Sequence, residues 1–348
     1  LSLQFFSLFF SAYSAPSAVL IGILTLVFIL SVVLVNPLYN YPVGDDWTYA
    51  LSVKHLYETG SLRLADESAT SLVFQVFWGY LFCLPFGFSY AALHLSTLAL
   101  SFAGLLSFYK LCELVIASEG SLDGKLRWLP LVTTLAVWFS PVYFTLSFTF
   151  FTDAPFYSLV LLSLYFFVKS EGGNRQVEGK CPSHKGTTRF VWGEIRWFFL
   201  AAIFSCCAVL VRQYAILLPF TVLLLIATRQ WPTDRRRLKM ALLALPFVVL
   251  VGFYYWLVKF HGVPTQFRFS QLEMLKSYRI AHDRYHLPFI ALFYAGLYGL
   301  PITLAVFTFW RTRHRRDDAA VNSPNNRGEP TGFTLRGSIS KPFTLVLV

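Results

Sequence analysis

Apolar runs of membrane-crossing length alternate with short polar segments along this chain. About 20 apolar residues cross a bilayer core of roughly 30 Å. Runs near 17–35, 90–110, 128–146, 155–168, 197–211, 214–228, 240–258 and 287–310 approach that length. The pattern predicts an all-α fold, a polytopic transmembrane helical bundle. A shorter apolar run, 72–84, ends in Pro85-Phe-Gly-Phe-Ser89 and predicts a helix lying against the membrane surface. Residues 36–71 form a polar loop containing a helix at 46–59, whose first turn Asp46 can cap. Residues 36–88 therefore read as one excursion carrying surface helices. The stretches 170–195 and 311–340 are polar, hold Gly, Pro and Asn, and read as loose connectors.

Composition fits a membrane protein. Apolar residues make up 56% of the 348 and charged residues only 14%, which no soluble domain of this size would carry. A signal peptide would be shorter than run 17–35 and would end in a small-residue cleavage site, which Asn36-Pro37 is not. The first residue is Leu and the last four, Leu345-Val-Leu-Val348, open a new apolar run. We read 1–348 as one transmembrane domain cut from a longer protein at both ends.

The net charge of +11 is set by distribution rather than by a nucleic-acid partner. Of the 29 Lys and Arg, 21 fall in segments 110–127, 169–196, 229–239 and 311–341. Placing those segments in the cytoplasm satisfies the positive-inside rule and puts 36–71, 212–213 and 259–286 outside. This orientation requires 72–84 not to cross. The five cysteines show no metal-ligand spacing and read as packing residues.

Three polar features then meet on the outer face. Asp45-Asp46 follow the first span, Asp153 stands between two apolar runs, and Arg212-Gln213 occupy a tight turn between spans. Ionisable groups at membrane depth are costly and usually functional. Helix capping accounts equally for Asp153, which precedes Ala154-Pro155, and snorkelling for Arg212. A cap needs one acid, however, not two. Transfer from a lipid-phosphate donor would use such a set: one carboxylate as general base, a second to hold a divalent metal (Mg or Mn, at Asp46 and Asp153) or to orient the acceptor, and an Arg fork on the phosphate. Arg268 and Lys276, in the basic loop 259–286, are further candidates for that phosphate. Trp47 and Tyr49 are candidate sugar-facing aromatics. His94, inside an apolar run, reads as a hydrogen-bonding residue of the bundle interior. Phosphate loops, zinc helices and nucleophile elbows are absent from the sequence.

The segment Gly44-Asp-Asp-Trp-Thr-Tyr-Ala-Leu-Ser-Val-Lys-His-Leu-Tyr-Glu-Thr-Gly60 resembles the first external loop of the GT-C glycosyltransferases, on the branch of bacterial protein mannosyltransferase relatives and the aminoarabinose transferase of lipid A. Phe148-Thr-Phe-Phe-Thr-Asp153 resembles that family's second acidic loop, and Leu210-Val-Arg-Gln-Tyr214 a recurrent Leu-x-Arg-Gln segment. The likeness covers about residues 17–230. Two positions depart from it: Ala69-Thr-Ser-Leu72 replaces a His/Lys-Pro-Pro-Leu element, and His94 stands where many members have Arg. The resemblance implies a hexosyl- or pentosyltransferase of the bacterial inner membrane, with its active site facing outward. It would move a sugar, with inversion, from a polyprenyl-phosphate donor to an envelope lipid, glycan or protein. Asp45 or Asp46 would be the base, Asp153 would support metal or acceptor, and Arg212 would hold the donor phosphate. Membrane lipids are the other implied partner. The competing reading is a transporter or flippase of lipid-linked glycans, which would place its charges nearer mid-membrane.

Overall fold

The computed structural model describes residues 17–68, 71–118, 127–175, 187–227 and 236–265, all in one compact unit. Among these residues the chain is helical and contains no strand. The helices are α1 (Ser17–Val35), α2 (Asp46–Thr59), α3 (Val73–Phe86), α4 (Tyr90–Ser118), α5 (Leu129–Trp138), α6 (Pro141–Ser147), α7 (Asp153–Arg175), α8 (Thr187–Val209), α9 (Leu217–Ala227) and α10 (Arg236–Trp256). A 3₁₀ turn, Gln213–Ile216, leads into α9, and a π turn, Leu257–His261, ends α10.

Three of these helical stretches are long and apolar enough to cross a membrane: Ser17–Val35, Tyr90–Ile116 and Arg237–His261. The pair α5–α6 makes a fourth if counted as one broken span. The first and the last of the three bury little of themselves against the protein. Leu26, Ile29, Leu30, Val33 and Leu34 of α1 are exposed, as are Val248, Val251 and Tyr255 of α10. Apolar surface on this scale is what a bilayer covers.

Two expectations change. The run 128–146 is not one continuous helix, because α5 and α6 meet at a 67° bend. Ser140 precedes a proline and is extended (ψ 131°), and Pro141 then opens the next helix. Helices α7 and α8 also reach into the stretch read as a loose connector, 170–195, as far as Arg175 and from Thr187. The expected run 287–310 and connector 311–340 lie outside the described residues.

One end of the bundle gathers the loops after α1, α6 and α8, with α2 and α3 laid among them. Helix α2 stops at Gly60, whose positive φ (68°) lets its N–H turn back to the Leu56 carbonyl. Helix α3 begins and ends at this one end of the bundle. At its start, Ser71 Oγ donates to the Val209 carbonyl, Leu72 N–H to Val211 and Phe74 N–H to Leu210. At its finish the chain passes Gly87 to Tyr90, whose N–H donates to Asn40 of the first loop. A core of Ala50, Val53, Leu56, Leu72, Val76, Leu93 and Phe150 joins α2, α3 and α4 to the α6–α7 loop. Beneath it, α7 packs along both α4 and α8. That packing fixes the start of α7, and with it Asp153, beside the α8–α9 turn.

Candidate active site

The acidic pair is split by the helix it begins. Successive residues turn about 100° around a helix axis, so neighbours in sequence face different surroundings. Asp45 occupies the N-cap position, is exposed, and makes no side-chain capping bond. Asp46 is fully buried. Its Oδ1 accepts the Val43 N–H at 2.9 Å and its Oδ2 lies 3.2 Å from His94 Nε2. The expected capping of the first turn by Asp46 is therefore replaced by bonds to the preceding loop and to α4.

His94 is equally buried, and its Nδ1 lies 3.1 Å from the Pro37 carbonyl. A carbonyl only accepts, so Nδ1 carries a hydrogen. Nε2 then faces a carboxyl oxygen, and the contact needs one further proton, held by either group. Unpaired, a buried carboxylate is costly; here the imidazole answers it. His94 is thus a hydrogen-bonding residue of the interior, as its setting in an apolar run suggests.

A second polar cluster forms where the α6–α7 loop meets the α8–α9 turn. Arg212 is extended (φ −143°, ψ 131°) at the N-cap of the 3₁₀ turn, which swings its side chain toward α7. Its Nη2 donates to Asp153 Oδ2 at 2.7 Å and its Nε to Thr152 Oγ1 at 2.8 Å. These side chains remain partly open, at 22% for Arg212 and 25% for Asp153. A guanidinium has five N–H donors, so three have no partner among the described residues.

Tyr49 ties Asp45 to this cluster. It lies one turn beyond Asp45, on the same face of α2. Its phenol sits above its ordinary pKa, chiefly because it is withdrawn from water; Arg212 opposes the rise, Asp153 adds to it, Thr152 opposes it, and Asp45 adds a smaller part. Asp45 is the weakest of these influences on Tyr49. Phe151 is packed there as well, with its ring 6.0 Å from that of Tyr49 and against Gly44, where an added Cβ would approach to 3.3 Å.

The other candidates fare differently. Trp47 is 41% exposed and lies on a different face of α2 from Tyr49. Gln213 is half-buried in the 3₁₀ turn, beside Arg212. Arg268 and Lys276 lie outside the described residues. The donor set does not suit a cation held between Asp46 and Asp153. Both Asp46 oxygens are already engaged by protein groups and neither reaches solvent, Asp153 Oδ2 is held by Arg212, and no cluster of three metal-ligating side chains occurs among the described residues.

Three groups carried no sequence signal beyond their polarity. Thr152 steers Arg212. Tyr39 donates its hydroxyl to the Phe148 carbonyl at 3.1 Å, joining the two loops. Gln75, fully buried on α3, donates Nε2 to the Phe150 and Phe151 carbonyls at 3.1 and 3.2 Å. These bonds hold the turn that presents Thr152 and Asp153.

No protein-family model matches the chain, and no curated protein matches it. Among solved structures it is similar to ArnT from Cupriavidus metallidurans bound to undecaprenyl phosphate, with TM-score 0.49 and 16% identity, over 72% of this chain and 43% of that one. The apo structure of the same ArnT gives TM-score 0.47 and 17% identity over the same shares, so this chain spans less than half of that protein's length.

Proposed function

We infer that this chain carries the active site of a membrane glycosyltransferase that uses a polyprenyl-phosphate-linked sugar. The observation that carries this reading is the packing of Gly44 and Tyr49, which flank the exposed carboxylate Asp45, against Phe151, next to the Thr152–Asp153 pair that holds the partly open Arg212 fork. Sugar transfer needs those two groups together. Asp45 accepts the proton of the acceptor hydroxyl as its oxygen attacks the anomeric carbon. The bond from that carbon to the phosphate oxygen breaks, and the polyprenyl phosphate leaves with the electron pair. The free N–H groups of Arg212 meet the phosphate oxygens and stabilise the charge that grows on them. Attack from the face opposite the leaving group inverts the anomeric centre. Asp153 and Thr152 aim the guanidinium, and Tyr49, still a neutral phenol at pH 7, offers a hydrogen bond between base and phosphate. No step is routed through a metal ion.

Two further points support the reading. The segments 44–60, 148–153 and 210–214 that resemble the GT-C family supply every member of the cluster. The ArnT crystal structure to which the chain is similar holds undecaprenyl phosphate, a leaving group of the kind proposed here. The outward-facing orientation follows from the charge count over the polar segments.

The test uses the full-length protein, purified in detergent, with a polyprenyl-phosphate-linked pentose or hexose and an envelope-lipid extract as acceptor. Release of polyprenyl phosphate together with a glycosylated product is expected. A flippase needs two compartments and would give neither, and that result would overturn the reading. Arg212→Lys keeps the charge but loses the planar fork. Its donor KM is expected to rise about tenfold, the equivalent of one charge-assisted hydrogen bond of about 1.4 kcal/mol. An unchanged KM would remove Arg212 from the donor site.

A further inference from the structure

A single imidazole closes the loop that presents the base. Pro37 and Asp46 are the two ends of that loop, and His94 contacts both, Pro37 O through Nδ1 at 3.1 Å and Asp46 Oδ2 through Nε2 at 3.2 Å. The ring is sealed from water by its neighbours. Tyr39 tilts over it at 4.7 Å between centroids and Tyr90 at 6.5 Å. Among the described residues, Asp46 and these phenols are the titratable groups facing it. The Tyr39 phenol is itself pushed above its ordinary pKa by burial first, then by Asp46 and Tyr41. Inside the loop, Asn40 Oδ1 accepts the Tyr90 N–H at 2.8 Å and Asp46 Oδ1 accepts the Val43 N–H at 2.9 Å. Asp45 has no side-chain cap bond of its own. Its place is inherited from Asp46 next to it.

We propose that His94 is a positioning residue: by bonding both ends of loop 37–46 it presents Asp45 to the Arg212–Asp153 cluster, with Asp46 as the anchor of that clasp and not a second base. The activity arm of the proposal rests on the transferase reading; the clasp itself does not.

Asp46→Asn separates anchor from base. An amide in place of the carboxylate keeps Oδ1 for the Val43 N–H and lets Nδ2 donate to Nε2 of a neutral His94, whose Nδ1–H still reaches Pro37. All the bonds survive without a carboxylate, so kcat is expected to stay within about threefold of wild type. His94→Ala opens the loop. Its kcat is expected to fall about 100-fold with donor KM little changed, as for a reacting group displaced by on the order of 1 Å. Should the stranded Asp46 charge prevent His94→Ala from folding, the double variant Asp46→Asn/His94→Ala carries no buried charge and gives the same comparison.

Amide exchange over 37–46, measured without substrate, reads the clasp directly. It is expected to be slow in wild type and Asp46→Asn and fast in the variants lacking the imidazole. Loss of activity in Asp46→Asn as deep as in Asp45→Asn would overturn the anchor role. A double variant that keeps both slow exchange and full kcat would overturn the clasp. Exchange that behaves as expected in a protein that transfers no sugar would refute the transferase reading and leave the clasp standing.

Discussion

Asp45→Asn is expected to lower kcat for sugar transfer by about 10³-fold, within the range that a positioned general base contributes. The reason is local. Asp45 is the exposed acid of the pair and makes no side-chain cap bond; it stands one helical turn from Tyr49 and next to Gly44, and both of these pack against Phe151, two residues from Asp153. Asparagine has the same shape and the same capping ability, so the fold has nothing to lose. The unfolding midpoint in detergent should match wild type, within the roughly 0.5 kcal/mol usual for surface changes. Donor affinity should hold or improve slightly, because a negative charge is removed near the phosphate site. Steady-state kinetics with donor varied at saturating acceptor would show this as a loss confined to kcat. Asp153→Asn provides the contrast. It removes the partner that aims Arg212 and should raise donor KM first. A reversal, with Asp45→Asn active and Asp153→Asn devoid of turnover, would move the base to Asp153.

The pair illustrates what the sequence could and could not say. Two adjacent acids after a span are visible as an anomaly of charge, and the run 46–59 is visible as a helix. That one acid points into the bundle and the other out of it follows from the helical turn between them, but only once the start of the helix is fixed at Asp46. The partner of the buried acid lies 48 positions away, in α4. His94 was legible as an interior hydrogen bonder because a polar ring in an apolar run must find a partner; nothing in the sequence says which one. Arg212 and Asp153, separated by 59 positions, are legible as charges at span ends on one face of the membrane, but their ion pair emerges only when α7 and α8 pack. Thr152 and Gln75 were missed because Thr and Gln are ordinary in such segments and their roles are purely geometric. The break between α5 and α6 has a readable cause, the Ser140-Pro141 dipeptide, although the mostly apolar stretch 128–146 has the length of a single span.

Gly104→Leu is expected to abolish folding, and Gly104→Ala to destabilise by about 2 kcal/mol. A Cβ built on Gly104 would stand 2.7 Å from the Cα of Ser158 and 2.8 Å from its Cβ and Oγ. Backbone cannot rotate away as the end of a side chain can, so α4 and α7 would have to separate. Overpacking of this kind costs about 3 kcal/mol at its upper end, offset by about 1 kcal/mol of helix propensity gained over Gly. The contact also lies within a polar knot that parting helices would loosen. Tyr143 donates its hydroxyl to the Ser101 carbonyl at 3.0 Å and lies 2.9 Å from Ser158 Oγ, all buried. Small residues let membrane helices approach closely enough for such bonds to form. Gly22→Ala and Gly252→Ala are the controls, since neither Cβ would meet anything within 4 Å; both should hold or raise the unfolding midpoint. Function enters through Ser158, which lies little more than one turn from Asp153 on α7. The part of Gly104→Ala that still folds should therefore show a raised donor KM, as the Asp153–Arg212 pair is shifted with its helix. A Gly104→Ala protein as stable as the Gly252→Ala control would mean that α4 and α7 are not in contact at this crossing.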